Sequence, residues 1–345
     1  MFLSSINYFF TNNILNENKY FLFFIFISII SFSITNIIIP LLLFLGNKLN
    51  YKDYPNVRKQ HKKPIINIGG FGIYFPFIIV NLLFLLYQNI IGIGINKNLM
   101  MIILISSSVM FFLGLIDDIR NISPWPRLFI QIFLALYIWS NGFAIHSINF
   151  NFPFQKSSEL IIPDLISIFL SLIWFVGITN AINWIDGLDG LAGGVSALIF
   201  SSLSIINLNF NNSYVAIVSA ALAASCFAFL RYNKHPAKIL MGDGGANFLG
   251  ITLALLSILT FYNSYNFDND PVFSINFYIP LLLLFFPILD MSTVLITRII
   301  NGNSIFLPDR SHIHHRLLKK GFKYEHTVII IYLITFSACL IALLL

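Results

Sequence analysis

The sequence predicts an all-α, polytopic integral membrane protein, and three observations carry that prediction. Hydrophobic residues make up 57% of the chain and charged residues only 10%, with a mean hydropathy of +0.83, whereas soluble domains carry about 25% charged residues. The apolar residues fall in repeated blocks of roughly 18 to 26, each long enough for a helical span, where barrel strands would show short alternating segments. Lys and Arg gather in alternate connections between those blocks, the pattern that orients a polytopic chain.

In chain order the blocks predict spans near 21 to 46, 68 to 88, 99 to 116, 126 to 143, 164 to 180, 189 to 207, 213 to 231, 245 to 264, 275 to 298 and 326 to 345. That makes about ten transmembrane helices, with eleven the upper count. The first block lacks the basic flank and cleavage site of a secretory signal and is expected to remain as a span. Between the fourth and fifth spans, residues 144 to 163 alternate in short pieces that suggest a small hairpin. No internal repeat is apparent and no soluble domain fits between the spans, so residues 1–345 read as one membrane domain. Placing the loop 47 to 67 in the cytoplasm puts every basic residue except Lys19, Lys97 and Lys156 on that side, with both termini outside. Cys226 and Cys339 lie in separate apolar blocks, which supports neither a disulfide nor a thiolate metal site.

With this topology the unusual polar clusters all face the cytoplasm. The span ending LGLIDDIRN carries two adjacent acids, Asp117 and Asp118, which repel unless a cation lies near. In NAINWIDGLDGLAGG, residues Asn180, Asn183 and Asp186 are three apart and would share one helical face, with Asp189 extending the wall. A Gly-rich connector with Asn and Asp as caps is the bland alternative, and the repeated DGLDG pattern argues against it. In MGDGGANFLG, Asp243 sits between glycines at the mouth of a span, as a cap for a helix starting near Ala246, as a ligand site, or as both. In SHIHHRLL, His312, His314, His315 and Arg316 crowd a basic loop beside hard oxygen donors, a combination suited to phosphate and magnesium more than to zinc. The segment PNVRKQHKKPIINIGGFG brings Lys62 and Lys63 within reach of an anionic substrate. Asp290 lies alone inside an apolar span, as a functional acid or as a structural partner for a neighbouring helix.

An oxygen-rich site ringed by Lys, Arg and His at the membrane edge suits phosphate chemistry between a lipid phosphate and a soluble nucleotide. The rival class is an ion-coupled transporter, disfavoured because the acids sit mainly in loops and no repeat symmetry appears.

PNVRKQH with GGFG, LIDDIRNISPWPRLFIQ, NAINWIDGLDGLAGG, MGDGGANFLG and DRSHIHHRLLKKGF, in this order, resemble the polyprenyl-phosphate N-acetylhexosamine-1-phosphate transferase family. The resemblance implies transfer of a sugar 1-phosphate from a UDP-sugar to polyprenyl phosphate with magnesium, or manganese in its place, and release of UMP. It implies catalytic roles for Asp117, Asp118 and Asp243, with the metal on Asp243 and Asp118. Asn183, Asp186, Asp189 and Asn233 match the substrate wall, while His314, His315 and Arg316 match a motif that holds phosphate. Arg127 stands where Lys is frequent, and Ala246 replaces a frequent Ser. The form of the histidine motif is closer to the branch using UDP-GlcNAc, which starts teichoic acid, lipopolysaccharide O-antigen or related glycans on undecaprenyl phosphate at the bacterial inner membrane. A homodimer is compatible with the family, and a nucleic-acid partner is not implied. On this basis Asp117 is expected to take the proton, or hold the ionised phosphate, of the lipid. A two-step route through an aspartyl intermediate stays open.

Overall fold

The computed structural model describes residues 14–54, 64–91, 96–150, 158–210, 212–260, 274–276, 278–302, 304 and 311–345. Among the described residues the helices are α1 (Ile14–Lys48), α2 (Phe71–Ile91), α3 (Lys97–Arg120), α4 (Pro124–Ser140), α5 (Asp164–Ile185) and α6 (Leu191–Asn209). They continue with α7 (Ser213–Asn233), α8 (Gly242–Leu259), α9 (Tyr278–Leu283), α10 (Phe285–Ile300), α11 (Ile313–Lys319) and α12 (Tyr324–Leu344). Nine of the ten predicted spans overlap a single helix each, and seven helices among the described residues are long and apolar enough to cross a bilayer. The chain is a multi-pass membrane protein.

Local signals set the helix ends. Asn96 caps α3 by accepting from the N–H groups of Asn98 (3.0 Å) and Leu99 (3.3 Å), and Asn121 closes it in a left-handed conformation with φ 48°. Pro124 opens α4, where its missing N–H is no loss. The ninth predicted span, 275 to 298, is broken: residues Ser274–Asn276 form a strand, and the helix is interrupted at Leu284 between α9 and α10. Pro287 explains the break, because its ring meets the carbonyl four residues back, at Leu283, and it offers no N–H to it.

The core is built around α8, which is buried almost along its whole length by α3 and α5, with α6 and α7 packed as a further layer. Close approach requires small residues. A Cβ on Gly114 of α3 would stand 2.3 Å from the Asp243 carbonyl, and one on Gly250 of α8 would stand 2.7 Å from the Thr179 Cα of α5. Buried polar pairs tie the same helices, Ser107 to Thr252 (2.8 Å) and the Trp174 indole N–H to the Ala254 carbonyl (3.1 Å). The outer helices α1, α4 and α12 instead expose Phe26, Ile37, Phe133 and Leu333, the surface expected of lipid contact.

At one end of the bundle, β1 (Ser147–Phe150) pairs antiparallel with β2 (Ser158–Ile161) in the register Ser147↔Ile161, the hairpin that the alternating sequence suggested. β3 (Ser274–Asn276) adds to it in parallel and was not expected, since its residues read as the start of a span. The opposite end gathers the C-termini of α3, α5 and α7 with the N-termini of α4, α6 and α8.

Candidate active site

Two consecutive helical residues point about 100° apart, and that separates the adjacent acids at the end of α3. Asp117 turns towards α4, where it is ion-paired with Arg127 and accepts from the Ile122 N–H (2.7 Å). Asp118 turns towards α8. It accepts from the Asn67 side-chain amide (3.0 Å) and from the N–H groups of Asp243 (3.1 Å) and Gly244 (3.2 Å), so it occupies the positive end of that helix. The helix starts at Gly242, whose φ of 78° suits glycine, and not near Ala246, so Asp243 lies within the first turn and is not its cap.

Asp243 accepts from the Asn183 side-chain amide (3.0 Å), and its other oxygen stands 3.7 Å from Arg127 Nη1. Asn180, one turn earlier on α5, faces α4 in a reciprocal amide pair with Gln131 (2.8 and 3.4 Å) and does not share that wall. Asp186 ends α5. Burial, then the charges of Asp243, Asp118 and Asp189, push its carboxyl well above the ordinary range. These acids border a cavity of about 690 Å³, whose lining includes Asp53, Asp117, Asp118, Asp186, Asp189 and Asp243 together with Lys52 and His315.

The rest of the wall is held by backbone contacts. Asn233 is buried, accepting from the Gly190 N–H (2.9 Å) and donating to the Ile239 carbonyl (2.8 Å), so its amide braces two loops at the cavity's edge. Asp189 pairs with His235 (2.8 Å) and accepts from the Ala237 N–H (3.1 Å). Of the histidines, His315 borders the cavity, while His312 and His314 are buried behind it. Burial, then His315, pushes His314 down to about 3, so it is neutral. Arg316 is spent on the Ser311 carbonyl (2.6 Å) and the Thr297 hydroxyl (2.7 Å) and is not among the lining residues.

Residues 100–261 match the family described as glycosyl transferase family 4. The chain is 36% identical over 309 residues to the probable undecaprenyl-phosphate N-acetylglucosaminyl 1-phosphate transferase of Bacillus subtilis, covering 89% of this chain and 81% of that one. It is 31% identical to the decaprenyl-phosphate N-acetylglucosaminephosphotransferase of Mycobacterium tuberculosis H37Rv (84% and 74% covered). It is 28% identical to the undecaprenyl-phosphate alpha-N-acetylglucosaminyl 1-phosphate transferase of Escherichia coli K12 (88% and 78%). The chain belongs to glycosyl transferase family 4.

As a family 4 member of this branch, the protein is a phosphotransferase enzyme. The structure brings together Asp117, Asp118, Asn183, Asp186, Asp189, Asp243 and His315, all named from the sequence. It places Asn180 and Arg316 on structural bonds, and Lys63 lies outside the described residues. Sequence reasoning missed Asn67 and Lys52. Asn67 carried a usable signal, two residues before the Gly69-Gly70 pair whose N–H groups bond the Leu240 and Met241 carbonyls (2.9 and 2.8 Å).

Proposed function

We propose that this protein transfers N-acetylglucosamine 1-phosphate from UDP-GlcNAc to undecaprenyl phosphate, releasing UMP, with the cavity on the cytoplasmic face of the bacterial inner membrane and about ten spans. One observation carries the reading: Asp117, which pairs with Arg127, lines the acid cavity, and an apolar groove is lined by Ile116 and Ile130, close in sequence to that pair. The groove, about 660 Å³, runs over α2, α3 and α4 between residues such as Ile78, Leu82 and Leu104, and reaches Ile116 and Ile130. Ile116 precedes Asp117, and Ile130 follows Arg127 by one turn. A prenyl chain in the groove would therefore deliver its phosphate to Arg127.

Six carboxylates around one cavity form a hard oxygen donor set that fits a divalent cation. Magnesium, or manganese in its place, would be held by Asp243 and Asp118 with Asp186 beside them, and when bound it neutralises diphosphate charge. Arg127 holds the acceptor phosphate, and Asp117 takes its proton or keeps it ionised. A phosphate oxygen of the lipid then forms a bond to the β-phosphorus of the UDP-sugar. The bond from that phosphorus to the bridging oxygen breaks, and UMP leaves with the electron pair. His315 stands in the wall where it contacts the nucleotide-sugar, and Asn183 orients Asp243. The lineage of named relatives supports the sugar; a different UDP-N-acetylhexosamine is the alternative.

Purified protein in lipid nanodiscs, given magnesium, undecaprenyl phosphate and a panel of UDP-sugars, should form UMP and lipid product fastest with UDP-GlcNAc. No UMP with any UDP-sugar would overturn the reading.

A further inference from the structure

Asp290 is not among the cavity-lining residues, yet it is the least exposed acid among the described residues, fully buried within α10. A carboxylate in that position is costly unless both oxygens find donors. Both do, and both donors come from one short segment. Oδ2 meets His312 Nδ1 at 2.7 Å, and Oδ1 accepts from the Ile313 N–H at 2.7 Å. His312 precedes α11 and makes no side-chain cap of its own, so Asp290 supplies from another helix the cap that this seven-residue helix lacks. A helix so short has little stability of its own, and its position depends on this anchor.

The same contact settles the chemistry of His312. A carboxylate facing Nδ1 holds the proton on that nitrogen and leaves Nε2 as the other face of the ring. Donor atoms of Asp290, His312 and His314 lie within 4.8 Å of one another, a grouping that suggests a metal. The 2.7 Å contact argues otherwise, since two ligands sharing a tetrahedral zinc at about 2.0–2.1 Å each stand about 3.3 Å apart. A hydrogen bond joins Asp290 to His312.

From there the contacts lead to the cavity. The His312 ring stacks on His314 (centroids 5.2 Å, 18°) and meets Trp184 of α5 edge-on (6.1 Å). His314 packs on His315 (4.3 Å), and a Cβ on Gly187 would lie 2.8 Å from His314 Nε2. Gly187 and His315 both border the cavity.

We propose that Asp290 is a positioning residue: by holding His312 in its Nδ1–H tautomer and pinning the start of α11, it seats His314 against Gly187 and His315 in the wall of the cavity. This rests on the cavity being the transferase site. The test uses full-length protein in nanodiscs, comparing wild type with Asp290→Asn and Asp290→Glu. Nitrogen-15 solid-state spectra of histidine-labelled protein read the tautomer without any turnover. Asp290→Asn should move one histidine signal out of the Nδ1–H form and raise KM for UDP-GlcNAc roughly ten- to hundredfold, as for other residues that orient a working histidine. Its melting temperature should stay within a few degrees of wild type, and Asp290→Glu should restore much of the tautomer signal and KM. An unchanged histidine spectrum overturns the proposal, and so does a changed spectrum with unchanged KM. Equal loss of stability and activity in both variants, without selective effect on KM, would make Asp290 merely structural and also overturn it. If wild type turns over no UDP-sugar, the transferase reading fails while the spectrum still reports on the anchor.

Discussion

The cavity acids and Asp290 face the same problem, negative charge withdrawn from water, and meet it in opposite ways. Asp290 has one donor for each oxygen, both from the chain itself, so its charge is met within the fold. At the cavity the acids face one another: Asp186 lies within the fields of Asp118, Asp189 and Asp243, and the basic groups among the described residues there include Arg127, Lys52, His235 and His315. The difference teaches which acids have their charge met by partners within the chain and which, among the described residues, face other acids across a cavity.

The largest expected effect separates the two regions directly. Replacing Asp243 or Asp117 with Asn should lower formation of labelled lipid product by at least about a thousandfold, the scale on which a single charge-stabilising group matters. Melting temperature should hold or rise, because repulsion in the cavity falls. Asp290→Leu should do the reverse to stability, costing about 1–3 kcal/mol for each donor it leaves unpaired, read by thermal denaturation in nanodiscs. A cavity variant that unfolds, or an Asp290→Leu protein as stable as wild type, would break the comparison.

A smaller effect concerns pH. Because Asp186 binds its proton more tightly than usual, it must release that proton to accept a cation, so cation binding weakens as pH falls. The magnesium concentration for half-maximal rate should rise as pH falls, by at most about tenfold per pH unit, the limit for one released proton. Asp186→Asn should flatten that dependence. His314 carries the opposite sign. Its folded pKa is depressed to about 3 from 6.5, so its contribution to stability is fully present above pH 6.5 and is lost as pH falls towards 3. The loss is at most about 1.4 kcal/mol per pH unit, and His314→Gln should remove it from a plot of melting temperature against pH. The smallest effect is expected for Arg127→Lys, which keeps a point charge between Asp117 and Asp243 and should cost only a fewfold in turnover, roughly 1 kcal/mol.

Much of the fold was legible because hydropathy is a property of consecutive residues. Every predicted span but the ninth landed on one helix, and the hairpin at 144 to 163 came out of alternation alone. The break at Leu284 was signalled by Pro287, but the surrounding apolar run masked it, since lipid-facing and helix-breaking residues look alike to a composition window. β3 was illegible because its partner β1 lies far away in sequence. In the site, residue types identified the acids and His315, and spacing failed where it assumed a straight wall: Asn180 and Asn183 share a helix but serve different neighbours. Asn233 lines the cavity while its amide is engaged by backbone, and Arg316 is bonded to Ser311 and Thr297 outside the lining, a distinction that only their partners show.

By itself the amino-acid sequence determined that this chain lives in a membrane, where most of its long helices lie, and that acids and histidines converge on one end of the bundle. Those properties follow from local free energies, the transfer of apolar side chains and the capping of helix ends. What the tertiary structure decided is the division of labour among chemically identical groups. Asp117 and Asp118 are neighbours in sequence but answer to α4 and α8, and Asp290 reaches His312 across 22 residues of chain. A carboxylate's role is set by which donors surround it, and those donors are brought together only when helices pack.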